Sequence, residues 1–97
     1  MSAAPSVSAA QKRALKSKAQ RLDAILRIGQ AGLSEAFLKS LDEALQLHEL
    51  VKVRFSEFKA ERKTLAPQMA EATGSALLQV LGNVALLYRP HDATTKA

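Results

Sequence analysis

The stretch Ile25-Leu26-Arg27-Ile28-Gly29-Gln30-Ala31-Gly32-Leu33-Ser34 decides how this chain folds. Its mostly apolar first four residues predict a short buried strand, and Ser34 is a favourable N-cap for a helix that follows. Two glycines three apart stand where the strand gives way to the helix. Glycine lets another molecule approach the backbone closely, and the free N–H groups of a helix N-terminus attract anions. The segment from Gly29 to Gly32 therefore predicts a turn that can hold a phosphate.

The same glycine pair also has a purely structural explanation, because a tight turn between a strand and a helix needs glycine for steric reasons alone. The segment is not a Walker motif, since it lacks Gly-Lys-Ser/Thr, and not a dinucleotide fingerprint, since it lacks a third glycine. The residues that precede the turn favour the interpretation as a phosphate site. Arg27 lies two residues before the turn, and a basic segment precedes it. KH domains clamp a nucleic-acid backbone with a GxxG loop of this kind.

Positive charge is concentrated before the glycine turn. The chain has 97 residues and a formal net charge of +5. Its first 27 residues contain one acidic side chain, Asp23, whereas the basic and acidic residues after them cancel. A localised positive field suits a polyanion, although a solvated helix face that keeps a protein soluble has the same composition. The basic side chains of this segment are Lys12, Arg13, Lys16, Lys18, Arg21 and Arg27.

Helices and strands alternate along the chain. Helical spacing predicts helices over about 9–21, 34–47 and 57–73, and apolar or alternating runs predict strands at 25–28, 50–55, 76–81 and 84–88. Ser8 is expected to cap the first helix and Gly74 to end the third. Pro67 should bend the third helix or mark where its regular part begins. Gly82-Asn83 predicts a type II′ hairpin turn between the last two strands.

The apolar positions also predict which faces are buried. The first helix should pack inward through Leu15, Ala19 and Leu22. The second should bury Phe37, Leu38, Leu41, Ala44, Leu45 and His48 and expose Lys39, Asp42, Glu43 and Gln46. In the strand at 50–55, Val51, Val53 and Phe55 face one way and Lys52 and Arg54 the other.

The order α-β-α-β-α-β-β predicts an α/β fold. Because parallel crossovers are right-handed, the second and third helices are expected on one face of the sheet. The last strand is antiparallel and fits between the second and third, which gives a two-layer sandwich with a mixed four-stranded sheet in the order 1-2-4-3. The first helix is an addition beside it. A single domain is expected over 8–90, with flexible tails at 1–7 and 91–97.

Several classes of function have little support. The chain has no cysteine, and its two histidines, His48 and His91, are too few and too far apart to indicate a metal site. No serine lies in a nucleophile elbow and no catalytic constellation is evident, so we expect neither an enzyme, nor a cofactor, nor a small-molecule substrate. No apolar run approaches the roughly 20 residues of a membrane span, and no signal peptide is evident. A cytoplasmic protein without a membrane partner is therefore expected.

Aromatic residues are scarce: Phe37, Phe55, Phe58 and Tyr88. Since Phe37 and Phe55 are expected in the core, no stacking platform for single strands is available. Recognition through backbone and shape suits structured RNA and predicts binding that weakens with salt. No helix-turn-helix pair is evident, which argues against sequence-specific binding to DNA.

Ordered matches at separate places along the chain resemble the CRM domain, and most closely the stand-alone bacterial YhbY-like proteins. The resemblance extends from about Ser8 to Pro90. The matching segments are Ile28-Gly29-Gln30-Ala31-Gly32-Leu33-Ser34-Glu35, Ala44-Leu45, His48-Glu49-Leu50-Val51-Lys52-Val53, Thr73-Gly74, Gln79-Val80-Leu81-Gly82 and Leu87-Tyr88-Arg89-Pro90.

The resemblance implies a fold like the C-terminal domain of bacterial translation initiation factor three, preceded by one helix. It also implies RNA binding: plant organelle relatives act in group II intron splicing, and bacterial single-domain members associate with precursors of the large ribosomal subunit. The family's GxxG loop matches Gly29, Gln30, Ala31 and Gly32, and its basic surface would include the first helix, with Lys12, Arg13 and Lys16. Gln30 is neutral where relatives often have lysine, so the charge is expected from Arg27 and that helix.

Two hypotheses follow. In the first, the chain binds structured RNA, as an assembly factor for large-subunit precursors, through the GxxG loop and the basic first helix. In the second, it is a protein-interaction module: the sheet face with Lys52 and Arg54 docks an acidic protein, and the glycine loop is only structural. Replacing Gly29 or Gly32 would then reduce stability, and RNA binding would be absent.

Overall fold

The observed order of helices and strands agrees with the prediction. The computed structural model describes residues 7–90. These contain helices α1 (Ala9–Ala19), α2 (Glu35–His48) and α3 (Arg62–Thr73), a 3-10 turn (Lys59–Glu61), and strands β1 (Leu26–Ile28), β2 (Leu50–Phe55), β3 (Ala76–Leu81) and β4 (Val84–Tyr88). The strands form a mixed sheet in the predicted order β1-β2-β4-β3, in which β1 and β2 are parallel and the other neighbours antiparallel.

The helix ends are set by the residues that the sequence indicates. The Ser8 hydroxyl accepts a hydrogen bond from the N–H of Gln11 at 3.1 Å, and the Ser34 hydroxyl accepts one from the N–H of Phe37 at 3.1 Å. Both serines are therefore N-caps, of α1 and α2 respectively. Gly74 ends α3 with a φ of +66°, in the left-handed conformation that glycine adopts without strain.

Pro67 lies inside α3 and does not mark the start of its regular part. The α-helix begins five residues earlier, at Arg62, and continues through the proline to Thr73. The segment before Arg62, predicted as helix from residue 57, instead contains the 3-10 turn, with Phe58 in the left-handed conformation just before it. The prediction of where this helix begins was therefore wrong.

Two hydrophobic clusters lie on opposite faces of the sheet. One packs α2 and α3 against the first face and contains Ile28, Leu41, Ala44, Leu45, Val51, Val53, Phe55, Ala66, Met69, Ala70, Ala85 and Leu87. The other packs α1 against the second face and contains Ala19, Leu50, Ala76, Leu78, Leu86 and Tyr88, with Leu15 and Leu22 partly buried beside it. The predicted apolar side of α1 is confirmed, and α1 forms a partial third layer. We call the second face the α1 face.

One side chain of α2 differs from the prediction, and another has a partner that the sequence did not indicate. His48 was expected in the buried stripe but is exposed, because α2 ends there and the chain turns away at Glu49. The side chain of Asp42 is 44% exposed, in agreement with the prediction, and its Oδ1 also accepts a hydrogen bond from the guanidinium of Arg89 at 2.7 Å. The same guanidinium donates to the carbonyl oxygens of Thr73 at 2.7 Å and Asp42 at 3.0 Å. Arg89 therefore connects the end of β4 to α2 and to the last turn of α3.

A β-bulge in β3 sets the direction of Gln79. The register shifts between Leu77, which pairs with Leu87, and Gln79, which pairs with Leu86. Under strict alternation Gln79 would face α2 and α3, as Leu77 does. The extra residue, Leu78, turns it to the α1 face instead.

The hairpin turn agrees with the predicted type II′. Gly82 has a φ of +59°, whereas the φ of Asn83 is not positive. A type II′ turn requires a positive φ at its first central residue alone.

The predicted tails, 1–7 and 91–97, lie outside the described residues except for Val7, which is partly buried against the cluster on the α1 face. His91 also lies outside them. No helix within residues 7–90 is long and apolar enough to span a membrane. In the same range, no group of three or more histidine, cysteine, aspartate or glutamate side chains could hold a metal ion.

Candidate functional site

The glycine segment forms a closed turn directly after β1. The N–H of Gly32 donates to the carbonyl oxygen of Gly29 at 3.0 Å, and Gln30 and Ala31 form the exposed tip. Within residues 7–90 the N–H groups of these two tip residues donate to no protein atom. The turn therefore offers two backbone donors, and Leu33 and Ser34 then lead into α2.

The two glycines of the turn have different structural requirements. Gly32 has a φ of +65°, and a Cβ there would lie 3.4 Å from Cε2 of Phe58. Gly29 does not have a positive φ, and a Cβ there would meet no atom within 4 Å. The backbone conformation therefore favours glycine at Gly32, whereas nothing in the geometry of the turn calls for glycine at Gly29. An exposed glycine that folding does not require favours a partner that comes close to the backbone.

This difference predicts opposite effects of two alanine substitutions on stability. We expect Gly32→Ala to lower the free energy of unfolding by about 1 kcal/mol or more, because a left-handed φ is strained for any residue with a Cβ. Gly29→Ala should leave it unchanged or raise it by up to about 1 kcal/mol, because alanine reduces the entropy of the unfolded chain. Urea denaturation followed by circular dichroism measures both. Equal losses would show that both glycines are structural.

Phe58 supports the turn from the side, and sequence reasoning missed it. Its ring is the group that a Cβ at Gly32 would meet first, and the residue is 40% exposed. Phe58 has a φ of +58°, which is rare for a bulky residue. Because left-handed phenylalanine is unusual, the sequence held no signal for this arrangement.

Strand register places Arg27 directly beside Arg54. The two are Cα partners in the parallel pair of β1 and β2, Arg54 is the partner of Val84, and Val84 is the partner of Leu81. These four residues form a row across the whole sheet on the α1 face, which we call the arginine row. Both arginines are exposed and Leu81 is 70% exposed, so α1 leaves this row open to solvent.

The arginine pair lacks an internal counter-charge. Within residues 7–90, neither Arg27 nor Arg54 forms an ion pair. The ion pair found in this range joins Arg89 to Asp42. Like charges directly opposite each other on adjacent strands are unfavourable. An anion on this face would relieve the repulsion, and the glycine turn begins two residues after Arg27. The turn and the arginine pair therefore form one candidate anion site.

The structure brings one of the three predicted α1 cations towards this site. Lys16 lines a cavity together with Val84 and Leu81 of the arginine row. Lys12 and Arg13 follow Gln11, whose side-chain amide lies 3.4 Å from the hydroxyl of Tyr88 at the end of β4. They therefore belong to the half of α1 that packs towards the opposite end of the sheet from the turn.

Lys52 is used inside the fold. Its ammonium donates to the carbonyl oxygens of Ala19 at 2.9 Å and Leu22 at 2.8 Å. These bonds satisfy carbonyl groups at the C-terminal end of α1 and fasten it to β2. Of the two cations expected to dock an acidic protein, Arg54 remains exposed, whereas two of the three ammonium hydrogens of Lys52 are already donated to backbone carbonyl oxygens.

The chain is similar to known proteins over almost all of its described length. The model of the CRS1 / YhbY (CRM) domain matches residues 7–89. The Bacillus subtilis protein named probable RNA-binding protein YqeI is 34% identical over 80 residues, which cover 81% of this chain and 83% of that protein. A Haemophilus influenzae protein named RNA-binding protein is 34% identical over 87 residues, covering 89% and 88%. The solution structure of SAV1595 from Staphylococcus aureus superposes with a TM-score of 0.76 at 35% identity, covering 94% of this chain and 96% of that one.

Proposed function

The chain belongs to the CRS1 / YhbY (CRM) domain family, and from this premise we propose that it is an RNA-binding protein, not an enzyme, that holds structured RNA. One observation carries the proposal: an exposed arginine pair lies at the foot of a turn whose first glycine folding does not require. The names of the Bacillus and Haemophilus relatives support RNA as the partner.

The turn contributes backbone donors and close approach. The N–H groups of Gln30 and Ala31 donate to phosphate oxygens, and Gly29 lets the phosphate approach without obstruction from a Cβ. Because Gln30 is neutral, the turn positions the RNA backbone without adding charge.

The charge comes from the arginine pair and α1. A guanidinium donates two parallel hydrogen bonds to a phosphate, so Arg27 and Arg54 can each hold one strongly. Lys16 adds charge beside the arginine row. Lys12 and Arg13 extend the basic surface along α1, where they can contact a longer RNA. Binding of this kind releases counter-ions and therefore weakens steeply as salt is added.

Two acidic residues at the tip of the turn test this function. Gln30→Asp with Ala31→Asp should weaken binding to a structured ribosomal RNA fragment about tenfold, because carboxylates there repel phosphates at the site of the backbone donors. Both positions are exposed and neither has a positive φ, so the free energy of unfolding should change by less than about 0.5 kcal/mol. Fluorescence anisotropy measures the affinity.

The matched control carries the same change in net charge on the helical layer. Ser40→Asp with Gln68→Asp alters exposed residues of α2 and α3, and we expect it to weaken binding less than threefold, because these helices cover the other face of the sheet and solvent screens exposed charges. Equal affinity losses in the two variants would mean that net charge, and not the turn, determines binding. An unchanged affinity of the turn variant would contradict its role.

We further propose that the RNA is ribosomal RNA in precursors of the large subunit, in the cytoplasm. The support is the resemblance to the stand-alone bacterial YhbY-like proteins, whose members associate with such precursors. In a sucrose gradient of the source cells at low salt, the protein should co-migrate with large-subunit precursors, and high salt should release it. Migration as free protein at low salt, or with small-subunit precursors, would contradict this assignment.

A further inference from the structure

A cavity of about 160 Å³ lies where the C-terminal half of α1 meets the arginine row. Its apolar surface comes from one residue of α1 and from β3 and β4, namely Ala19, Leu81, Val84 and Leu86. Its polar groups are Lys16, Gln20, Lys52 and Gln79. The site thus combines an apolar floor with a rim of amides and cations.

The amides at the rim are free to bind a ligand. Within residues 7–90, the side chains of Gln20 and Gln79 form no hydrogen bond, in contrast to those of Gln11 and Gln46. A glutamine amide has two donor hydrogens and an acceptor oxygen, and so pairs with donor and acceptor groups alike. The rim can therefore bind a flat ligand whose edge carries both.

The bulge at Leu78 is the feature that brings Gln79 to this cavity. Under regular alternation the Gln79 amide would lie in the core between the sheet and the α2–α3 layer, where a polar group needs a partner. Bulges re-aim side chains and are over-represented next to functional sites. The bulge in β3 therefore places the unpaired amide of Gln79 at the rim of the cavity.

Lys52 adds a fixed donor to the wall. Its ammonium has three hydrogens, and two of them are donated to the carbonyl oxygens of Ala19 and Leu22. Because these bonds hold the side chain in place, the third hydrogen can meet an acceptor such as a ring carbonyl oxygen without further ordering of the lysine.

The size and neighbourhood of the cavity identify the class of ligand. A cavity of about 150 Å³ takes up one benzene molecule when its walls are apolar, so this one has room for a single planar ring. Its polar rim favours a heterocycle over a hydrocarbon. Val84, which lines the cavity, is the partner of Arg54 in the arginine row. A ring in the cavity would therefore lie one strand away from a cation of the proposed phosphate site.

We infer that this cavity binds one unpaired nucleobase of the RNA whose backbone the arginine pair holds, an inference that rests on the proposed function. The base lies on the aliphatic floor, and its edge is read by Gln79, Gln20 and Lys52. The protein then prefers a helix interrupted by an unpaired nucleotide to a continuous one. This preference needs no aromatic stacking platform.

Hairpin RNAs with equal numbers of nucleotides test the inference. One has a fully paired stem, and four have a single unpaired nucleotide in the stem, one for each base, so that the electrostatic part of binding stays constant. We expect the wild-type protein to bind at least one interrupted hairpin about tenfold more tightly than the paired one, as good base contacts provide. Gln79→Met keeps the side-chain length but removes the amide, and Val84→Phe fills the floor. Each should reduce this ratio to below about threefold.

The control is Gln68→Met, on the exposed side of α3, which should keep the tenfold ratio. Circular dichroism shows whether each variant is folded. If either Gln79→Met or Val84→Phe does not fold, the other variant provides the test. Equal affinity of the wild-type protein for all five hairpins, or an unchanged ratio in the folded variants, would overturn the cavity assignment and leave the proposed function intact. Absence of binding to every hairpin would overturn both.

Discussion

Replacing Arg27 and Arg54 together by glutamine should weaken binding to structured RNA by at least about 100-fold at physiological salt. Each guanidinium is expected to hold a phosphate, and a hydrogen bond to a charged group contributes about 1.5–3 kcal/mol. The dependence of affinity on salt should also become less steep, by about one unit of the logarithmic slope for each phosphate that is no longer neutralised. Anisotropy titrations at several salt concentrations measure both quantities.

The control for this variant removes two positive charges from the opposite side of the sheet. Lys39→Gln with Lys63→Gln changes exposed residues of α2 and α3 and should weaken binding less than about threefold. Since the arginines repel each other in the free protein, their replacement should not lower the free energy of unfolding. A folded arginine variant that keeps both its affinity and its salt dependence would contradict the candidate site.

Phe55→Ala should lower the free energy of unfolding by about 3–5 kcal/mol, the cost of deleting a fully buried aromatic side chain. Phe55 is 0% exposed, at the end of β2, and its N–H donates to the carbonyl oxygen of Asn83 at 2.7 Å. Its Cα partner in β1 is Ile28, the residue just before the glycine turn. Since a domain has a total stability of about 5–15 kcal/mol, this loss is a large fraction of it. Urea denaturation at equilibrium measures the change.

Phe58→Ala is the matched control, because the same side chain is removed three residues later. Phe58 is 40% exposed and its ring packs on Gly32, so the loss should stay below about 1.5 kcal/mol. Similar losses in the two variants would mean that the burial difference between the two phenylalanines does not determine their contributions.

Most of the fold could be predicted because its signals are local. The serines before α1 and α2 and the glycine after α3 act on the backbone within a few residues, and the alternation at residues 50–55 gives the two faces of β2 directly. The handedness of parallel crossovers then leaves few orders for four strands. The errors lie at helix ends: α3 begins only at Arg62, after the left-handed Phe58, and His48 is exposed because α2 ends there.

The candidate site was only partly predictable. The position of the turn and the proximity of Arg27 to it follow from the order of residues alone. Arg54 was expected on the polar side of its strand, but its pairing with Arg27 depends on the register of β1 against β2. Lys52 was expected to offer a free cation, and its use by the end of α1 depends on where that helix packs.

The order of the elements and the place of a glycine turn after a short strand follow from the amino-acid sequence, because they depend on patterns within a few residues. The handedness of parallel crossovers then gives the order of the strands. It took the tertiary structure to establish that the backbone favours glycine at Gly32 and not at Gly29, that two arginines share one row, and that a bulge directs the side chain of Gln79 towards the cavity beside α1. The physical reason is that backbone strain, strand register and cavities arise from contacts between residues far apart in the chain. A single extra residue in a strand reverses the alternation that a sequence pattern assumes.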